Sequence, residues 1–130
     1  MKAEKALAAL LDAAAGVTAL VGTKIYGCAA PDEAAAPLVI YAKQSAEREP
    51  YLDAGTNIVR ARVAVLCVAA TYPSLKALGE AVRVALNNQA GTFGGVLVED
   101  LALSEEGPDE YEPGLKEFAQ QFVYTVTHAE

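Results

Sequence analysis

Hydrophobic positions along the chain switch between helical and strand spacing, and the switches delimit its elements. From Lys2 to Ala15 the residues Ala3, Leu7, Leu10 and Ala14 recur on one stripe, widened by Leu11. That spacing predicts an amphipathic helix. Gly16 stands where a C-terminal cap would end it, and Val17 to Val21 is expected to add one short turn that tucks Leu20 and Val21 inward. After Gly22 a short extended piece, Thr23 to Tyr26, leads to a Pro-bounded loop over 27–37. The β-branched and aromatic run Leu38-Val39-Ile40-Tyr41 predicts a strand reaching about Ser45. Ala46 to Gly55 reads as a long hairpin tip, with Asp53-Ala54-Gly55 as its turn. The chain then returns as its longest strand, Asn57 to Ala69.

That return strand changes character along its length. Arg60 and Arg62 alternate with Val59, Ala61 and Val63, which leaves one face solvated. Further on, Ala64, Leu66 and Val68 on one face and Val65, Cys67 and Ala69 on the other are all apolar. Such a strand is covered on both sides, by a helix of this chain or by a neighbouring subunit. Thr71 as N-cap and Pro73 in the first turn open a second helix carrying Leu75, Leu78, Val82, Ala85 and Leu86. Asn88 to Gly95 reads as a loop with turn glycines. Val96 to Leu103 and Glu117 to Thr127 read as strands, the latter with Phe118, Phe122, Tyr124 and Val126 on one face. An acidic loop punctuated by Gly107-Pro108 and Pro113-Gly114 separates them. The expected fold is α+β: a mainly antiparallel sheet of about 4–5 strands with two helices packed on it, in the order α-β-β-β-α-β-β.

The 130 residues make one domain, 1–130, with 53% hydrophobic residues to fill its core. The start is interrupted by Lys2, Glu4 and Lys5 and lacks the uncharged core of a signal peptide. No apolar run approaches the roughly 20 residues that a span requires, so a soluble protein made in the cytoplasm is expected. The net charge of −7 is localised. Glu99, Asp100, Glu105, Glu106, Asp109, Glu110 and Glu112 fall between residues 84 and 115 with no Lys or Arg, while the other ten acids are matched by the ten bases. An acidic domain without a basic stripe is a poor ligand for nucleic acid or for an anionic membrane.

Candidate chemistry is sparse. Cys28 and Cys67 form no disulfide framework; Cys67 reads as a small buried hydrophobe and Cys28 as a loop thiol. The single histidine, His128, reads as a frayed terminal residue, and no His/Cys cluster has metal-ligand spacing. Gly91, Gly94 and Gly95 precede a strand, so they offer no helix N-terminus to a phosphate. The acidic segment lacks the spacing of a calcium loop; it reads as a solvated surface loop or as a docking surface for a basic partner. At the hairpin tip, Glu47, Arg48, Glu49, Tyr51, Leu52 and Asp53 combine charge with apolar side chains, as either an ordinary loop or a contact arm. No catalytic set, cofactor site or metal site can be assembled from these residues.

The order of motifs resembles the phage tail-terminator family, also called tail-completion or minor tail proteins, similar in kind to the lambda terminator. The likeness runs from Leu10-Leu11 through Gly22-Thr23-Lys24-Ile25-Tyr26, Pro37-Leu38-Val39-Ile40-Tyr41 and Arg62-Val63-Ala64-Val65. It continues through Thr71-Tyr72 into Leu75, Leu78, Ala81-Val82-Arg83 and Ala85-Leu86, covering nearly the whole chain in order. The resemblance implies a non-enzymatic virion protein that forms a homo-oligomeric ring, typically of about six copies, on the head-proximal end of the tail tube. There it would end tube polymerisation and meet the head-completion or connector protein, with DNA passing through without specific binding. The hairpin tip would touch a neighbour or the tube. Glu105, Glu106, Asp109, Glu110 and Glu112 would line the lumen or face a partner. Another neck component, or a host ligand-binding or regulatory domain, is the alternative.

Overall fold

A computed structural model describes residues 2–31, 34–50 and 57–129, the side chains of 49, 50 and 57 excepted. The elements in chain order are α1 (Lys2–Ala13), α2 (Ala15–Val21), β1 (Ile25–Gly27), β2 (Leu38–Pro50) and β3 (Asn57–Ala69). They continue with α3 (Tyr72–Leu86), β4 (Gln89–Phe93), β5 (Val96–Glu112) and β6 (Glu117–Ala129). The strands form one sheet in the order β1-β2-β3-β6-β5-β4. Only β1 and β2 run parallel; the other neighbours are antiparallel.

The fold is α+β, as the sequence predicts, but richer than the expected two helices on four or five strands. Three helices and six strands stand among the described residues. The predicted first helix is interrupted at Ala14, whose extended backbone (φ −82°, ψ 109°) ends α1 and opens α2. Gly16 therefore lies inside α2 rather than capping α1. Gly22, at φ 63°, takes the capping role by donating its N–H to Thr18 O at 2.8 Å, a left-handed conformation glycine adopts without penalty. Val17 and Val21 turn inward, while Leu20 stays 42% exposed. At α3 the expected cap is present: Thr71 Oγ1 accepts from Ser74 N at 3.2 Å.

Two segments read as loops are strands. Gln89–Phe93 pairs with the start of β5 (Phe93↔Val96, Thr92↔Leu97), so the glycines of that stretch serve a tight strand connection. The acidic segment continues β5 as far as Glu112, paired with β6 from Glu105↔Val123 to Glu112↔Glu117. Its glycine, proline and charges do not appear as strand formers in a propensity reading. Pairing with the strongly apolar β6 overrides that, and register shifts between Leu103/Glu105 and Glu106/Asp109 absorb the misfit.

The core lies between the helices and one face of the sheet. Ala3, Ala6, Leu7 and Leu11 of α1, with Leu75, Leu78, Val82 and Leu86 of α3, pack over Val39, Val63, Val65, Cys67, Phe122, Tyr124 and Val126. Gly79 lets α3 approach the sheet, since a Cβ there would lie 2.9 Å from the Phe122 ring. The opposite sheet face carries Ile40, Ala42, Ala64, Leu66 and Val68. All are only partly buried and all lie outside the core cluster. The two-sided apolar character of β3 is therefore real, but this chain's helices cover one side of it.

Candidate assembly surfaces

The acidic residues of β5 fall on a strand edge, and their partners divide them. The β4–β5 pairing ends at Leu101, beyond which β5 is paired on its β6 side alone among the described residues. Asn87 Oδ1 accepts from Leu103 N at 3.0 Å, and Asn88 N donates to Leu101 O, so the end of α3 closes the first part of that edge. From Glu105 onward charge and Pro108 blunt it instead, a common protection against indiscriminate strand pairing.

Asp109 ties this edge to α3. Lys76 Nζ lies 2.5 Å from its Oδ1, and Tyr72 Oη donates to its Oδ2 at 2.6 Å. The Lys76 ammonium, and after it the Tyr72 hydroxyl, hold the Asp109 carboxyl below its ordinary range. Asp109 in turn raises both Lys76 and Tyr72. Arg62 pairs with Glu105 at 3.4 Å on exposed surface, and Glu112 Oε1 accepts from Gly114 N at 3.0 Å. Glu106 and Glu110 are exposed and make no hydrogen bond or ion pair among the described residues.

Beside Asp109 lies an aromatic cluster that the sequence pattern did not single out. Tyr111 and Phe118 are cross-strand neighbours with ring centroids 4.7 Å apart, and Tyr72 of α3 reaches Phe118 at 5.9 Å. Tyr72 and Tyr111 remain about half exposed, at 45% and 50%, and Leu115 on the adjoining turn is 69% exposed. Exposed tyrosines next to charge are typical anchors of protein interfaces. The available signal was Tyr111 inside the acidic run and Phe118 in the following strand. Seeing them as a pair required the β5–β6 register.

At the far end of the sheet, the hairpin residues fall on the paired stems. Glu47 is opposite Arg60, Arg48 opposite Val59 and Glu49 opposite Ile58. Glu47 and Arg48 are exposed. Tyr51, Leu52 and Asp53 lie outside the described residues. The hairpin and the acidic end of β5 therefore occupy opposite ends of the sheet, and Arg62–Glu105 bridges toward the middle.

His128 is not a frayed terminal residue. It sits in β6 opposite Val59 and Val98, is 5% exposed, and its Nδ1 is 2.8 Å from Ala129 O. Cys67 is buried as expected, and burial pushes its thiol up to about 12. Among the described residues no group of His, Cys, Asp and Glu is placed to hold a metal ion, and no helix is long and apolar enough to cross a membrane.

A helix-backed sheet with an open apolar face, a charged strand edge and an exposed aromatic cluster defines a structural protein that works through its surfaces. The family model described as Tail completion protein gp17 matches residues 5–124, and the chain belongs to that family. It is a structural protein of a phage-type tail and resides in the tail region of the virion. In solved structures, a chain of the virion of a native gene transfer agent (GTA) particle has the same fold. Its TM-score is 0.75 at 20% identity, and the match covers 99% of this chain and 98% of that one. No curated protein sequence matches.

Proposed function

We propose that residues 1–130 form one tail-terminator-like domain that caps the head-proximal end of the tail tube as a ring of about six copies. The cap ends tube polymerisation and presents the surface that joins the tail to the head-completion or connector protein. Family membership supports the setting. The single observation that carries the ring is the open sheet face, where Ile40, Leu66 and Val68 form an apolar strip that no helix among the described residues covers. An apolar strip of this kind in a water-exposed position is an interface in waiting.

The work is done by shape and contact, with no chemical step. The hairpin tip, Glu47 to Asp53, touches a neighbour or the tube. The β5 acids from Glu105 to Glu112 line the lumen or face a partner. In the lumen they would repel DNA phosphates and let the genome pass without adhering.

The test is native mass across a concentration series, negative-stain imaging, and tube length when the protein is mixed with assembling tube protein. Closed rings and tubes capped at one end are the expected result. Replacing Leu66 with Asp should abolish both while leaving the monomer folded, because its side chain lies outside the core cluster. Tubes that grow to unlimited length in the presence of the wild-type protein would overturn the proposal, as would a stable dimer holding a small molecule.

A further inference from the structure

A cavity of about 240 Å³ opens at the hairpin end of the sheet, between the N-terminus of α1 and the stems of β2 and β3. Its walls carry Lys2, Lys43 and Arg48, with Glu4 and the buried imidazole of His128. Lys2 and Lys43 are exposed at the rim and have no partner among the described residues. His128 is 5% exposed, and with Nδ1 engaged by Ala129 O its Nε2 has no partner among the described residues. Lys2 and Lys43 beside the one Glu4 carboxylate give the rim a local positive excess on a protein whose net charge is −7.

We propose that this cavity is a carboxylate-binding pocket whose occupant is an acidic side chain of a second copy of the chain, Glu110 on the open edge of β5. The proposal rests on the ring reading and names its contact. Glu110 is exposed and unpartnered, on a strand edge with no strand beyond it among the described residues. The pocket and Glu110 lie at diagonally opposite corners. The register Lys43↔Val63↔Tyr124↔Leu103 puts three strand spacings between β2 and β5. Glu110 lies farther along β5, a separation of about 14 Å across and about 20 Å along the sheet.

A head-to-tail contact sets the basic corner of one copy against the acidic edge of the next. Head-to-tail contacts generate rings when the rotation closes. The cavity has room for one carboxylate side chain with accompanying water. A bond from a Lys or Arg to that carboxylate is charge-assisted, and so among the stronger hydrogen bonds.

The experiment uses the full chain and compares Lys43→Glu, Glu110→Lys and the double reversal, with thermal melting as the check on folding. Ring formation is read by native mass, or on tube ends if rings form only there. Each single reversal should weaken association about tenfold or more and the double should recover it, since like-charge contacts penalise and swapped pairs restore. Carbodiimide coupling of the wild type should yield a Lys43–Glu110 amide found only in dimer and higher bands, because the two are too far apart within one copy. Rings that survive both single reversals and give no such cross-link would overturn the pocket assignment and leave the ring reading standing. Absence of any ring and of any tube capping would overturn the ring reading, and this contact with it.

Discussion

Gly107 sits where β5 shifts register against β6, between Glu106↔Phe122 and Asp109↔Gln120. A Cβ built on it would lie 2.7 Å from Gln121 O, a backbone atom that no rotamer change can move. The Gly107 carbonyl also accepts from Gln120 Nε2 at 2.9 Å. Gly107→Ala must therefore push the two strands apart. It strains or loses one or two hydrogen bonds worth about 1 kcal/mol each, and overpacking adds about 1 kcal/mol or more. The expected loss is about 2–3 kcal/mol. With a urea m-value of roughly 1.5 kcal/mol/M, the unfolding midpoint should fall by about 1.3–2 M. Gly16→Ala is the matched control. That glycine is in α2 with nothing within 4 Å of an added Cβ, so the same methyl should stabilise by about 0.5–1 kcal/mol through helix propensity. Urea unfolding by circular dichroism, at a concentration where the midpoint no longer depends on protein, reads both. If the two substitutions shift the midpoint in the same direction, the steric reasoning at β5 is refuted.

Tyr124 Oη is buried without a hydrogen-bond partner among the described residues; Tyr124→Phe should therefore raise stability by about 1 kcal/mol, and a loss of stability would show an unrecognised partner. In the native protein a thiol reagent at neutral pH should modify exposed Cys28 and spare Cys67, whose thiol burial has pushed up to about 12; equal labelling rates would contradict the buried placement of β3. Asp109 is held below its ordinary 3.8 by Lys76 and Tyr72, so its contribution is present at neutral pH and lost as the pH falls through the carboxylate range. Asp109→Asn should flatten the acid limb of the stability–pH curve between about pH 5 and 3, and an unchanged limb would mean that the contact contributes nothing in solution. Thr71→Ala should cost about 1 kcal/mol through loss of the α3 cap, read by the same urea titration.

Much of the architecture was legible because local patterning and tertiary packing agree. The stripe of Leu75, Leu78, Val82 and Leu86, the Thr71 cap and the alternation of Asn57–Ala69 each point to one element, and the structure has those elements. The expectations failed where tertiary pairing overrode local signal. Ala14 has no breaker character, yet it ends α1; Leu20 and Gly16 changed roles with it. Glu105 to Glu112 looks like a wet loop, and becomes strand because β6 offers a full set of pairing groups beside it. His128 looked expendable two residues from the end, but closing β6 between β3 and β5 buries it.

The sequence by itself determined the main helix faces, the main strands and the concentration of negative charge, because these depend on residue identity and short-range spacing. Only the tertiary structure decided which charges meet. It joined Lys76, Tyr72 and Asp109 across more than thirty residues of chain, brought the Tyr111 ring against that of Phe118, and set the basic cavity diagonally across the sheet from the free acids of β5. Strand order and register carry that information, and both arise from contacts between segments far apart in the chain, which no local window of residues contains.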